Sequence, residues 1–362
     1  MTLPNTKKAL VTIIDVAHKA GVSPKTVSNV VNDRPVVRQT TRERVQQVIR
    51  ELEYRPCAAA RSLVTRTRRL IGFLLADINN PAYPEMVEAI ASQARQNGFM
   101  LLLCNTGRDP VEEDHYVNLL IEQQVDGVII SSSRADSRAA RVLSRRGIQV
   151  VLFNRYPKDF TENYVGVDNE GGAYSATMHL LKLGHRRIAF FRGEPGSSTS
   201  EEREAGFRRA LQEIGAAADE GLFLLGDFRV GKSREAAKEL LSRSYRPTAI
   251  VAANDVMAIA VMDVALRLGL RVPEDLAVVG FDDIPIASSS PISLTTVRSD
   301  LRTMAEEATR LLLELIRDPN HPGHLKPIRK ILPVTLQIRR TCGGRLGESL
   351  APYSHSPVTN SG

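Results

Sequence analysis

The stretch that most constrains this chain is TIIDVAHKAGVSPKTVSNVVN, residues 12–32. Ile13, Val16, Ala17 and Ala20 recur at the helical period, Gly21 follows as a stop, and Val22, Val27, Val30 and Val31 form a second apolar stripe. Ser23 has the chemistry of an N-cap and Pro24 that of a first helical residue. Two short helices joined by so tight a turn form the helix-turn-helix arrangement, whose second helix enters the major groove of DNA. Pro24, Lys25 and Asn29 are then the candidate base readers, because Asn pairs bidentately with adenine and Lys reaches guanine acceptors. Ser23, Thr26 and Ser28 suit phosphate oxygens, and Thr12 joins the same surface at the start of the first helix. A helical hairpin in an ordinary core satisfies the same spacing, so charge has to decide.

The formal charge is +7, and it is unevenly spread. Residues 1–70 hold 14 Lys/Arg against 5 Asp/Glu, leaving 34 against 36 for the rest of the 362-residue chain. A basic N-terminal segment on a near-neutral body is the electrostatic footprint of phosphate-backbone binding, with salt-dependent affinity. Cys57, Cys104 and Cys342 are odd in number and lack metal-ligand spacing, so neither a disulfide framework nor a metal site is expected. The first residues lack a secretory apolar run and no later stretch is apolar for long enough to span a bilayer. The expected place is the cytoplasm, with no membrane partner.

After the loop NDRPVVRQ, a third helical pattern runs from about Thr40 to Leu52, with Thr40 and Glu43 at capping-box spacing and Val45, Val48, Ile49 and Leu52 as its apolar stripe. This completes a headpiece over 10–56. Residues 57–64, CAAARSLV, form a short Ala-rich piece that is marginal as a helix alone, so 57–69 is expected to be a conditional helix and connector. The segments TIIDVAHKAGVSPKTVSNVVN, TRERVQQVIRELEYRP and AARSL resemble the lactose/galactose repressor (LacI/GalR) family of bacterial transcription regulators, and the resemblance extends over nearly the whole chain. It implies that the connector is a hinge helix whose Leu63 wedges into the minor groove at the operator centre, with Arg61 beside it. Cys57 and Arg38 depart from the family's usual Asn and Ser, which weakens the caps of two helices.

From Leu70 onward short apolar runs alternate with helical patterns. LIGFLLA, FMLLLCN, DGVIISS and IQVVLFN read as buried parallel strands, followed by a second series, RIAFFRG, LFLLGDF, TAIVAAN and LAVVGFDD. The fold class is therefore α/β, with two doubly wound subdomains behind an all-α headpiece, and ligands bind such sheets outside the carboxyl ends of the strands. The resemblance implies that the chain returns across the hinge between subdomains, as in sugar-binding-protein-like cores: an N-subdomain of about 70–168 plus 298–327, and a C-subdomain of about 169–297 plus 328–340. The stretch IRKILPVTLQIRR is expected as one returning strand, and 341–362, rich in Gly, Ser and Pro, as a disordered tail.

The strand ends supply a polar constellation. Asn154 and Arg155 close one strand, Asn254 and Asp255 another, Asp282 and Asp283 a third, and Arg203 precedes a Gly-Phe pair on a helix. Hydroxyl-rich ligands want such fixed amide, guanidinium and carboxylate groups beside an aromatic face. By resemblance Tyr83, Pro84, Asn154, Arg203, Phe228, Asn254, Asp282 and Ser299 occupy the positions that line the family's effector pocket, with Asn154 where many relatives carry Asp. A competing motif is GDFRVGKS, residues 226–233, which satisfies the phosphate-loop pattern between a strand and a helix. In that reading Lys232 reaches nucleotide phosphates, while Ser233 and Asp255 hold magnesium. No nucleophile elbow or paired metal motif occurs, and His18, His179 and His185 are expected as surface or capping residues. The expected protein is not an enzyme and needs no cofactor or metal. It is a repressor, a homodimer or a tetramer built from it, that binds double-stranded palindromic operator DNA and a small-molecule effector, a carbohydrate or its derivative. A nucleotide hydrolase and a sugar receptor without a DNA role are the alternatives.

Overall fold

The computed structural model describes residues 11–54, 67–132, 134–344 and 349–350. The chain divides into two compact units, residues 1–68 and 69–362. Cys57, Arg61 and Leu63 lie outside the described residues, and so does the expected hinge helix.

The described residues of the first unit form three helices, α1 (Ile13–Ala20), α2 (Pro24–Val31) and α3 (Gln39–Glu51). A capping box starts α1: Asp15 N donates to Thr12 Oγ1, while Thr12 N and Oγ1 both donate to Asp15 Oδ2 at 2.7 Å. Gly21 ends it in the left-handed region at φ 63°, and Ser23 Oγ accepts from Thr26 N to open α2. The capping box expected at Thr40 does not form. Helix α3 begins at Gln39, with Arg38 at the cap making no side-chain bond, so Thr40 lies inside the helix and Glu43 instead accepts from Gln39 Nε2 at 2.9 Å. Val16, Ala17, Ala20, Val27, Val30, Val45, Val48 and Tyr54 make the small core, with Ile49 and Leu52 partly buried against it.

The second unit is built on two sheets. One has six strands in the order β11-β5-β4-β3-β1-β2, all parallel. Its strands are β1 (Leu70–Leu75), β2 (Met100–Asn105), β3 (Gly127–Ile130), β4 (Gln149–Phe153), β5 (Asn163–Val167) and β11 (Arg329–Leu332). The other has seven in the order β13-β12-β10-β9-β8-β6-β7: β6 (Ile188–Arg192), β7 (Phe223–Leu225), β8 (Ala249–Ala252), β9 (Ala277–Asp282) and β10 (Thr295–Arg298) are parallel, and β12 (Thr335–Gln337) and β13 (Ser349–Leu350) are antiparallel. Between strands run α4 (Tyr83–Gln96), α5 (Pro110–Glu122), α6 (Ala139–Arg145), α7 (Asn169–Lys182), α8 (Ser198–Glu213), α9 (Val230–Leu241), α10 (Asp255–Arg267) and α11 (Leu301–Arg317). Helices α7 and α8 pack closely because Gly206 has no side chain: a Cβ there would stand 2.1 Å from Glu170 O.

Several expectations change. FMLLLCN is an edge strand rather than a buried one, leaving Met100 and Leu103 exposed. The short runs NYVGV and TTVR are strands that the apolar-run criterion passed over, since each mixes polar or Gly positions into a buried element. IRKILPVTLQIRR is two strands, because Pro333 has no N–H to continue a ladder. Residues 329–332, expected with the second subdomain, pair with β5 in the six-stranded sheet, and 335–337 pair with β10 in the other. The expected tail is ordered at its start: Thr341 and Cys342 are buried, Thr341 Oγ1 donating to Val278 O at 2.7 Å. Cys342 Sγ lies 3.2 Å from His179 Nε2, so His179 is a core residue and not a surface one. Residues 345–348 and 351–362, the remainder of that tail, lie outside the described residues.

Candidate nucleic-acid interface and ligand cleft

On α2 the apolar face is buried through Val27 and Val30, which turns Ser23, Pro24 and Lys25 outward as exposed residues and leaves Thr26, Ser28 and Asn29 half-buried. Lys25 and Asn29, four apart, share one face of the helix. Lys19 pairs with Glu51 and Arg42 with Asp33, whereas Lys25 has no ion-pair partner among the described residues. The hydroxyls are less free than the sequence implies. Ser23 Oγ and Thr26 Oγ1 lie 2.9 Å apart, Thr12 Oγ1 is engaged with Asp15, and Ser28 Oγ accepts from Asn32 Nδ2.

In the second unit one cleft is lined by Asn80, Ala82, Tyr83, Met86, Asn154, Arg155, Thr199, Arg203, Phe228, Asn254 and Asp282. Seven of the nine expected effector residues meet there. Pro84 does not: it is exposed in the first turn of α4, where its ring suits the helix start. Ser299 is buried behind Asp282, whose carbonyl accepts from Ser299 N, and does not line the cleft. Asn80, Ala82, Met86 and Thr199 were missed. They sit in the loops after β1 and β6 or just inside the helices that follow, and taking every strand-to-helix junction would have found them.

The strand ends that carry the cleft are bent. Asn154, Asp227, Phe228, Asp282 and Asp283 have φ of 62°, 58°, 52°, 110° and 58°, a left-handed geometry that costs L-residues free energy and that surrounding contacts must hold. Tyr164 Oη donates to Asn154 O at 3.2 Å. The Phe228 ring occupies the space over Gly193, where a Cβ would come within 2.0 Å of it. Arg203 is 3 % exposed and sits at the centre, donating to Asn169 Oδ1, to Ala253 O and, at 3.2 Å, to Asp282 Oδ1, with its guanidinium over the Phe281 ring. Burial pushes the Asp282 carboxyl above its usual range, against the pull of the Arg203 guanidinium beside it. Arg155 Nη1 donates to Glu194 Oε2 at 3.2 Å, and Tyr83 Oη to Ser131 O at 3.3 Å. Asn254 caps α10, its Oδ1 accepting from Met257 N at 3.0 Å.

The first amides of GDFRVGKS are turned inward. Gly226 N and Asp227 N both donate to Arg192 O and Arg229 N to Gly226 O; the carbonyls of 227 and 228 accept from Arg108. Lys232 Nζ is held by Asp227 at 2.7 Å, Ser233 Oγ donates to Arg229 O, and Asp255 is fully buried between Thr296 Oγ1 and Ile284 N. The motif is a strand-to-helix turn that aims Phe228 into the cleft.

Residues 12–57 match the family profile of bacterial regulatory proteins, lacI family, and residues 177–342 match the periplasmic binding protein-like domain. The HTH-type transcriptional repressor PurR of Vibrio atlanticus is 35% identical over 313 residues, 86% of this chain and 94% of its own. The chain belongs to the lacI family. Among solved structures of that kind, the lac repressor dimer bound to operator and an anti-inducer superposes with a TM-score of 0.81 at 30% identity, covering 92% of this chain and 99% of that one. A CelR–cellobiose complex superposes with a TM-score of 0.70 at 33% identity, covering 91% and 99%. Repressors of the lacI family bind operator DNA and small-molecule effectors as dimers, and they are not enzymes. This chain is a DNA-binding transcriptional repressor of that family, with the mixed α/β core of parallel sheets that the family carries. No described helix is long and apolar enough to cross a membrane.

Proposed function

We propose that the two headpieces of a homodimer, residues 10–56 of each chain, read the half-sites of a near-palindromic operator through Lys25 and Asn29. In this reading Ser23, Thr26, Ser28 and Thr12 face phosphates, and residues 57–69 form a hinge that places Leu63 and Arg61 at the operator centre. Residues 70–340 hold the effector cleft, and the protein acts in the cytoplasm on nucleoid DNA. The effector is a small hydroxyl-rich molecule, a sugar or sugar derivative. It acts by favouring one relative orientation of the two sheets, which must differ in how well the hinge segments pair on DNA.

The observation that supports the effector reading most is the convergence of Asn154, Arg203, Phe228, Asn254 and Asp282 on one cleft, with Asn154, Phe228 and Asp282 in strained left-handed backbone. Such conformations are held only where the surroundings over-determine them, and they cluster at ligand clamps. The same reading gains support from the cellobiose bound by CelR and from the ribose bound by a LacI family regulator of Enterococcus faecium, 27% identical with a TM-score of 0.68. Thermal unfolding of the purified protein across a panel of sugars and sugar derivatives tests it, since a ligand that binds only the folded state must raise the midpoint. A panel that leaves the midpoint unmoved, in a protein that binds its operator, would overturn the carbohydrate reading. Leu63→Ala tests the hinge: specific operator affinity should fall much more than non-specific affinity.

A further inference from the structure

The effector reading of the cleft, on which this inference rests, leaves the ligand's chemistry broad, and two unpaired groups narrow it. Arg155 is 5 % exposed and commits Nη1 to Glu194, while its Nε has no hydrogen-bond partner among the described residues. Asn254 is 1 % exposed, commits Oδ1 to the α10 cap, and leaves Nδ2 equally unpaired. Both orphans are N–H donors and both residues line the cleft. Buried donors are nearly always satisfied in a working protein, so the missing partner is an acceptor that arrives with the ligand.

The acceptors beside them are already drawn upon. Glu194 Oε2 takes Arg155, Asp282 Oδ1 takes Arg203, and position 154 offers an amide. A guanidinium bound through Nη1 keeps its other edge, formed by Nε and Nη2, for two parallel N–H bonds, and that fork matches a carboxylate. We propose that the effector is an acid, a polyhydroxylated carboxylate of the aldonic or uronic type. Its carboxylate lies on the free edge of Arg155 and on Asn254 Nδ2, and its hydroxyls donate to the remaining lone pairs of Asp282 and Glu194.

Calorimetric titration of the full chain with matched pairs tests this: gluconate against glucose, galacturonate against galactose, ribonate against ribose. At least one acid should bind, roughly tenfold to a hundredfold more tightly than its neutral partner, the range expected for one hydrogen bond to a charged group. Asn254→Asp keeps the capping oxygen and replaces the donor by an acceptor, so acid affinity should fall by at least the same factor. Arg155→Lys keeps the charge and loses the fork, and should act likewise. Neutral sugars that bind as tightly as their acids, with binding weakened by Phe228→Ala, overturn the acid proposal and leave the cleft reading standing. Binding that neither Phe228→Ala nor Asn254→Asp alters removes the cleft reading as well. If no member of any pair binds, the proposal of a sugar acid is wrong.

Discussion

The headpiece and the cleft solve recognition in opposite ways. On α2 the candidate readers stand outward on a helix of eight residues, and the structure that positions them is local: a capping box, a left-handed Gly21 and a core of small valines and alanines. In the cleft most of the candidate readers are buried, Arg203 is bonded to Asp282 across 79 positions, and Asn154, Phe228 and Asp282 stand in backbone bent into the left-handed region. An exposed reader can be lost without harm to the fold. A buried one is part of the fold, and its loss has to be felt as stability.

That contrast breaks most readily at Arg203. Arg203→Ala leaves Asp282 buried without its cation and strips donors from Ala253 O and Asn169 Oδ1, so the core should lose about 3 to 5 kcal/mol. Denaturant titration followed by core fluorescence or circular dichroism reads it, and headpiece signals should keep their native shifts. A variant with parental core stability would show that the network is not structural. The headpiece counterpart should behave otherwise. Lys25→Ala and Asn29→Ala should each cost ~1 to 3 kcal/mol in discrimination at particular operator positions, with no loss of folding stability. Base preferences from a selection experiment and a melting curve on the same samples separate the two effects.

Protons sharpen the comparison, because the two regions hold their acids in opposite senses. The backbone N–H and hydroxyl of Thr12 hold Asp15 below its ordinary carboxylate value, so its contribution is present above the unfolded pKa and is lost as pH falls through the folded one. Burial, with Asp282 next, holds Asp255 well above its ordinary value. Its contribution is complete below the unfolded pKa and is lost as pH rises through the folded one. Relative to the parent, Asp15→Asn should therefore do best at low pH. Asp255→Asn should gain on the parent as pH rises above the ordinary carboxylate range. Stability measured by denaturant at a series of pH values tests both, and parallel curves for either variant would contradict the assigned direction.

The same contrast explains what could be read from the sequence. Headpiece signals lie within a few residues of the groups they position: Gly21, Ser23 and Pro24 declare the turn and the second helix, and all three do in the structure what their chemistry implies. Where the local signal was doubled, it misled, since both Thr12–Asp15 and Thr40–Glu43 have capping-box spacing and only the first pair caps. In the core, apolar runs located eight strands, but β5 and β10 carry no such run, and the break of IRKILPVTLQIRR between two sheets is decided by partners in two different sheets, Tyr164 facing Arg329 and Val297 facing Leu336. The strand-end polar residues were legible as a set. Their bonding was not, because Arg203 to Asp282 and Arg155 to Glu194 are long-range pairs that no spacing encodes. Pro84 and Ser299 illustrate the limit: Pro84 follows the cleft residue Tyr83 and serves the helix start, and Ser299 is bonded to the backbone of the cleft residue Asp282 and is buried behind it.

The smallest expected effect belongs to the most conspicuous motif. GDFRVGKS has the letters of a phosphate loop, but letters matter there only because they free backbone amides to converge on an anion. Here the amides of Gly226 and Asp227 share one carbonyl of Arg192, and the ammonium of Lys232 already faces the carboxylate of Asp227. The pair is half exposed on the lysine side, where a surface ion pair contributes at most about 1 kcal/mol. Lys232→Ala should consequently shift the melting midpoint little and leave operator affinity and effector response at parental values. Parent and variant alike should show no magnesium-dependent hydrolysis of ATP or GTP above a protein-free control. Hydrolysis that disappears with Lys232→Ala would mean that the loop opens in solution, frees its amides from Arg192, and carries a second chemistry beside the cleft.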